Sequence, residues 1–286
     1  MFSAIDWARP WLHSVRAAAA AAGVDTDFES DVDSDSGAAS IIPFFSAQAS
    51  ARKLCNHQGL PLAFVPQSAL PEGVAYEEFI GATGGVPTRE NLHDFFNALV
   101  WLSFPLIKRQ LNALQAAQIA QDGVGKSRGP ARDAATLFDE NAALLVVRDC
   151  GQGRALVQAL RGHEWRAAFV ELRELFGKDA QVWLFGHALM EKLVAPYKAI
   201  TAHTRIVMAD DGYFALDRAG QQAWLDAQVA QALAQEGLSK AGFTPLPVLG
   251  VPGWWPQQDE EFYSDAAVFR PKRKPNEHGI KTVPTP

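Results

Sequence analysis

The chain has 286 residues, 48% hydrophobic and 20% charged, with a formal net charge of -6. Such a length and apolar content support one large core or two closely joined ones, and the negative balance excludes a global field that would gather nucleic acid or an anionic membrane. Cys55 and Cys150 lie far apart without a C-x-x-C, which excludes a secreted disulfide framework.

No run of about 18 apolar residues marks a membrane span, and Asp6, Arg9, Pro10 and His13 interrupt any signal-peptide core. The chain therefore reads as a soluble, cytoplasmic protein with neither nucleic-acid nor membrane partners. A first short helix passes through Ala17 and ends near Ala22. Acidic residues then recur at Asp25, Asp27, Glu29, Asp31, Asp33 and Asp35. The spacing resembles a calcium loop, but Ser36 stands where the turn glycine belongs and Ile42 where the bidentate glutamate belongs. Residues 1–40 are thus a helix and a solvated acidic linker.

LAFVPQ predicts a strand ending at Pro66. In GATGGVPTRENLHDFFNALVWLSFPLIKRQLNALQAAQIAQ, Pro87 precedes Thr88 as the expected N-cap, and Glu90 falls in the first turn, where its charge suits the helix dipole. The helix is expected to run toward Gln121 with a bend at Pro105. The following loop, DGVGKSRGP, fails as a phosphate-binding loop because Ala120 occupies the first glycine position and no strand precedes it.

Asp139, Glu140 and Asn141 precede the apolar run 142–147, the clearest strand in the sequence. Helices are predicted over RALVQALRGHEWRAAFVELRELFG and VWLFGHALMEKLVAPY, a second strand over ITAHTRIVM, and an amphipathic helix over AWLDAQVAQALAQEG with its stop at Gly237. The segment FTPLPVLGVPGWWPQQDEEFYSDAAVFRP is too rich in Pro and Gly for a long helix and too aromatic to be left in water, so it should lie as an ordered loop across the body. Residues 271–286 form a basic, disordered tail. The fold expected is α+β and predominantly helical: one compact domain over 41–270, with a few short strands and the ordered C-terminal segment.

One polar constellation stands inside apolar helices. At about 100° per residue His93 and Asn97 share a face, as do His187 and Glu191. Asp139 and Glu140 can complete the set. Read as chemistry, His93, Asn97, His187 and Glu191 are candidate catalytic residues. His93, Asp139, Glu140, His187 and Glu191 are candidate ligands of a divalent metal ion, whose bound water would serve as nucleophile in a hydrolase-like reaction. Read as architecture, the same groups satisfy one another in a buried network. No H-E-x-x-H accompanies them to decide between the two.

A second reading is a non-catalytic protein holding an anionic small molecule or a peptide. Gly84 and Gly85 permit close backbone approach, Thr88 opens a helix whose N–H groups are free, and Arg89 adds a fork of donors. Trp254 and Trp255 offer flat apolar faces to the same kind of ligand.

VPTRENLHDFFNALVWLSFP, ATLFDENAALL, FGHALMEKLVAPY, and LPVLGVPGWW followed by FYSDAAVFRP occur in that order. In wording and order these blocks resemble the proteobacterial domain of unknown function 3025, over roughly residues 76–270. The resemblance implies that His93, Asp94, Asn97, Asp139, Glu140, Asn141, His187 and Glu191 stand in that family's hallmark segments; it carries no activity with it.

Overall fold

The computed structural model describes residues 2–21, 23, 40–122 and 129–272. The acidic linker, most of the DGVGKSRGP loop and the basic tail from 273 lie outside the described residues, and so do the calcium-loop and phosphate-loop comparisons made on them.

The helices are α1 (His13–Ala21), α2 (Ile41–Ala51), α3 (Tyr76–Thr83), α4 (Leu92–Ser103), α5 (Pro105–Asp122), α6 (Pro130–Asn141), α7 (Gly151–Gly162), α8 (His187–Lys192), α9 (Asp211–Phe214), α10 (Arg218–Glu236) and α11 (Glu260–Ser264). The strands are β1 (Ala63–Pro66), β2 (Gly85–Thr88), β3 (Ala142–Arg148), β4 (Ala180–Leu184), β5 (Thr201–Ala209) and β6 (Thr244–Pro247). Strands β1 and β2 form a small parallel pair. The larger sheet has the order β4-β3-β5-β6 and is mixed: β3 runs parallel to β5 and antiparallel to β4. The fold is α+β with helix predominant, as the sequence predicts.

Strand β3 is central because AALLVVR is apolar on both faces, and every residue before Arg148 is buried. Its register sets Leu144 between Trp183 and Arg205. The apolar run around Trp183, expected as the start of a helix, is strand β4; a short continuous apolar run fits either state, and pairing with β3 decides it. The helix begins only at His187. The helix predicted from Arg154 onward also stops early. Its chain turns through a left-handed His163 (φ 58°) before a π-helical stretch at Ala167–Glu171.

Helix α4 starts later than expected. Thr88 is not its N-cap but the last residue of buried strand β2; Asn91 caps the helix, its side chain accepting from Asp94 N at 2.8 Å. The expected bend at Pro105 is a full break, since Pro105 cannot donate to the carbonyl one turn back. The N–H groups exposed by the break, those of Leu106 and Ile107, donate to the Asp226 carboxylate of α10 at 3.0 and 2.9 Å.

Helix α1 joins the same core through Val15, Ala18 and Ala19, and its Ser14 Oγ accepts from Leu184 N at 2.8 Å. The aromatic C-terminal segment is ordered as predicted. Phe262, Tyr263 and Phe269 are buried, the last two against Phe169 and Phe262 against both of them, and Tyr263 Oη donates to Gly250 O at 3.0 Å. No helix among the described residues is long and apolar enough to cross a membrane.

Candidate functional site

Three elements bring the predicted polar residues together. His93 sits in the first turn of α4, Asp139 and Glu140 in the last turn of α6, and His187 opens α8 with Glu191 one turn further on. Helix α8 packs against both α4 and α6.

The junction is set by backbone contact. Phe185 N and Gly186 N both donate to Ala142 O, at 3.0 and 2.8 Å. A Cβ on Gly186 would lie 2.6 Å from Glu140 O, Asn141 N and Ala142 N. Only glycine allows this approach, which fixes His187 beside Glu140.

The ring nitrogens converge. His187 Nε2 lies 3.1 Å from His93 Nε2, and Glu140 Oε2 lies 3.6 Å from the first and 3.9 Å from the second. Donors bound at about 2.0–2.2 Å on a tetrahedral ion stand about 3.3–3.6 Å apart, close to these separations. Among the described residues no other trio of His, Cys, Asp or Glu side chains gathers so closely. Of the five predicted metal ligands, then, His93, Glu140 and His187 form an inner set.

Glu191 and Asp139 take the outer positions. Glu191 Oε2 is 3.0 Å from His93 Nδ1, and Asp139 Oδ2 is 3.8 Å from His187 Nδ1. A carboxylate hydrogen-bonded behind an imidazole fixes its tautomer and ring orientation, as Glu191 does for His93; Asp139 lies beyond hydrogen-bond reach of His187 Nδ1 and acts on that ring by its charge. Burial pushes the His187 pKa down to about 4, so its imidazole is neutral at pH 7 with a lone pair for coordination.

Asn97 lies in a layer behind. Lys108, 3% exposed on α5, donates to Asn97 Oδ1 at 2.9 Å and to Asp139 Oδ1 at 2.6 Å. An ammonium only donates, so the amide oxygen faces it and Asn97 Nδ2 turns to Tyr76 Oη, 3.0 Å away. Burial alone would raise the Asp139 carboxyl; the charge and hydrogen bond of Lys108, with His187, outweigh it and hold the group below its usual value. Burial and the charge of Asp139 raise Glu140. Burial, with Glu77 and Asp139 nearby, keeps the Tyr76 phenol protonated.

A cavity of about 510 Å3 opens onto this centre, with His93, His187, Glu140, Asp139, Asn97 and Tyr76 in its wall. Lys108, Tyr76 and the cavity residues Gln115 and Arg132 were not among the residues singled out from the sequence. Their signal was present: Lys108, Asn112 and Gln115 recur at i, i+4 and i+7 on α5, a polar stripe at helical spacing, and all three are buried.

The predicted anion site at Gly84, Gly85, Thr88 and Arg89 has its donors engaged. Gly84 N donates to Ile80 O, Gly85 N to Thr83 Oγ1 and Thr88 Oγ1 to Val86 O. Arg89 forks onto Asp94 at 2.9 and 3.1 Å. Trp254 and Trp255 are half-buried away from the cavity; Trp254 packs on Trp11 with ring centroids 6.3 Å apart and lines a separate cleft with His13, Arg16 and Arg218. Cys150 caps α7, its Sγ accepting from Gly153 N at 3.4 Å.

Fold and site together define a helix-rich α+β protein with a histidine and carboxylate centre at the base of a cavity. The chain belongs to the family described as protein of unknown function (DUF3025), whose profile matches residues 62–273 and so contains every residue of that centre. No curated protein and no solved structure matches the chain.

Proposed function

We propose that the protein is a metal-dependent hydrolase whose ion is held by His93 Nε2, His187 Nε2 and Glu140. The convergence of those three ligand atoms from three separate elements carries this reading. Two imidazoles and one carboxylate suit zinc, and three protein ligands with a fourth position toward a cavity are a catalytic arrangement rather than a structural one. When bound, such an ion polarises a carbonyl or phosphoryl oxygen and brings the pKa of a coordinated water toward neutrality.

The chain's own groups do the rest. Glu191 orients His93, and Asp139 stands behind His187 with its charge balanced by Lys108. Tyr76 accepts from Asn97 through its oxygen, which leaves its O–H free to donate into the cavity toward an oxyanion as charge develops there.

The test is elemental analysis of untagged protein together with a hydrolysis screen over esters, amides, lactones and phosphoesters. Stoichiometric zinc, lost in His187→Ala and in Glu140→Gln, with hydrolysis abolished by chelator and restored by zinc, is the expected outcome. Wild-type protein that takes up no divalent ion on titration would overturn it.

A further inference from the structure

Arg132 lies in the first turn of α6 and is only 9% exposed. A cation at a helix N-terminus opposes the dipole, and a desolvated guanidinium without a counter-charge is costly. Yet among the described residues no carboxylate pairs with it and its Nε has no acceptor. The carboxylates that share the cavity wall with it are engaged elsewhere: Asp94 by Arg89, Asp139 by Lys108, Glu77 Oε2 by Asn112 Nδ2 at 2.7 Å and Glu140 by the two histidines, while its chain neighbour Asp133 pairs with Lys240 at 3.2 Å.

Arg132 faces the same cavity as the histidine centre. Thr136 and Glu140 follow it at i+4 and i+8, so Arg132, Thr136 and Glu140 form a track along one wall. Eight residues of helix put Arg132 about 12 Å from Glu140. Gln115 of α5, 8% exposed and without a side-chain partner among the described residues, lines the cavity too and adds an amide donor.

We infer that Arg132 is the specificity-determining residue of this cavity, binding the terminal oxyanion of an elongated substrate whose reacting bond lies at the His93, Glu140 and His187 centre. The position of the reacting bond rests on the metal-hydrolase reading; the capture of an anion by Arg132 does not. The substrate class is a small molecule with a carboxylate or phosphate at the end remote from the bond that is cut. A planar guanidinium fork matches either group.

The experiment uses the zinc-loaded full chain and hydroxamates of graded chain length ending in a carboxylate, a phosphonate or a methyl ester. One charged series should bind about tenfold or more tightly than its ester at a chain length that spans the cavity, and which series does so tells carboxylate from phosphate. In Arg132→Gln that preference should vanish, while zinc content and ester binding stay at wild-type levels; Arg161→Gln, an exposed control, should keep it. Equal binding of acid and ester by the wild type, or a preference that survives Arg132→Gln, overturns the inference.

If the chain takes up no zinc, hexanoate and inorganic phosphate are titrated instead. Binding lost in Arg132→Gln would then keep the anion subsite while the hydrolase reading falls, and binding insensitive to Arg132 would remove both. Thermal melts add an independent readout: Arg132→Met should melt at or above wild type if the charge awaits a ligand, and below it if Arg132 is a structural pair.

Discussion

His187 and His13 have the same depressed pKa, about 4, and burial is the main cause for both. Their surroundings are opposite. His13 Nε2 donates to Val182 O at 2.7 Å, its ring stands edge-on to Trp183, and the charges nearest it are the cations of Arg16 and Arg218. His187 Nε2 meets a second imidazole and a carboxylate, with another carboxylate behind its ring. A low pKa by itself therefore says only that an imidazole is neutral; what its lone pair faces separates a packed histidine from a ligand.

The largest effect that sharpens this contrast is on metal content. His93→Ala, Glu140→Gln and His187→Ala should each abolish stoichiometric zinc, whereas His13→Gln should leave it intact; loss of zinc in His13→Gln would break the comparison. Next comes the buried cation behind the site. Lys108→Met strands Asp139 and the Asn97 carbonyl, and should lower unfolding stability by about 3–5 kcal/mol, read from denaturant melts. A variant as stable as wild type would mean that the pair contributes nothing.

His13 supplies a smaller, pH-dependent effect. Its folded pKa lies below the unfolded value of 6.5, so the unfolded chain takes up the proton first as pH falls. Its contribution is complete above pH 6.5 and is lost as pH drops toward 4. The stability difference between wild type and His13→Gln should shrink by about 2–3 kcal/mol across that window, and a difference that is flat with pH would contradict the burial argument. Smallest is Glu191→Gln, which alters the partner of His93 Nδ1 but no inner ligand. Zinc affinity should fall about 10- to 100-fold with saturable stoichiometry unchanged, measured by competition with a chelating dye.

The i, i+4 pairs His93/Asn97 and His187/Glu191, with Asp139 and Glu140 ahead of a strand, were legible because helical period depends only on local sequence. Their convergence was not, since it depends on how α4, α6 and α8 pack. Local competition explains the missed boundaries: Pro87 and Thr88 imitate a helix start, while pairing of β2 with β1 moves the cap to Asn91. The run around Trp183 had the apolarity of either state, and β3 claimed it as a strand. Lys108 and Arg132 were passed over for a physical reason. A charged residue on an amphipathic helix is ordinarily solvated; only the packed structure shows Lys108 turned inward onto Asn97 and Asp139 and Arg132 turned into the cavity wall.

The close approach of Gly186 to the end of α6 bears on the order of folding and loading. Where ligands sit on floppy loops, an ion gathers them and its binding energy becomes folding energy. Here main-chain hydrogen bonds from Phe185 and Gly186 to Ala142, at the seam of the central sheet, hold His187 against Glu140. On the proposed metal-hydrolase reading, the chain would fold first and be loaded afterwards, and the ion would leave and return as a ligand does, at a rate governed by access through the cavity rather than by refolding.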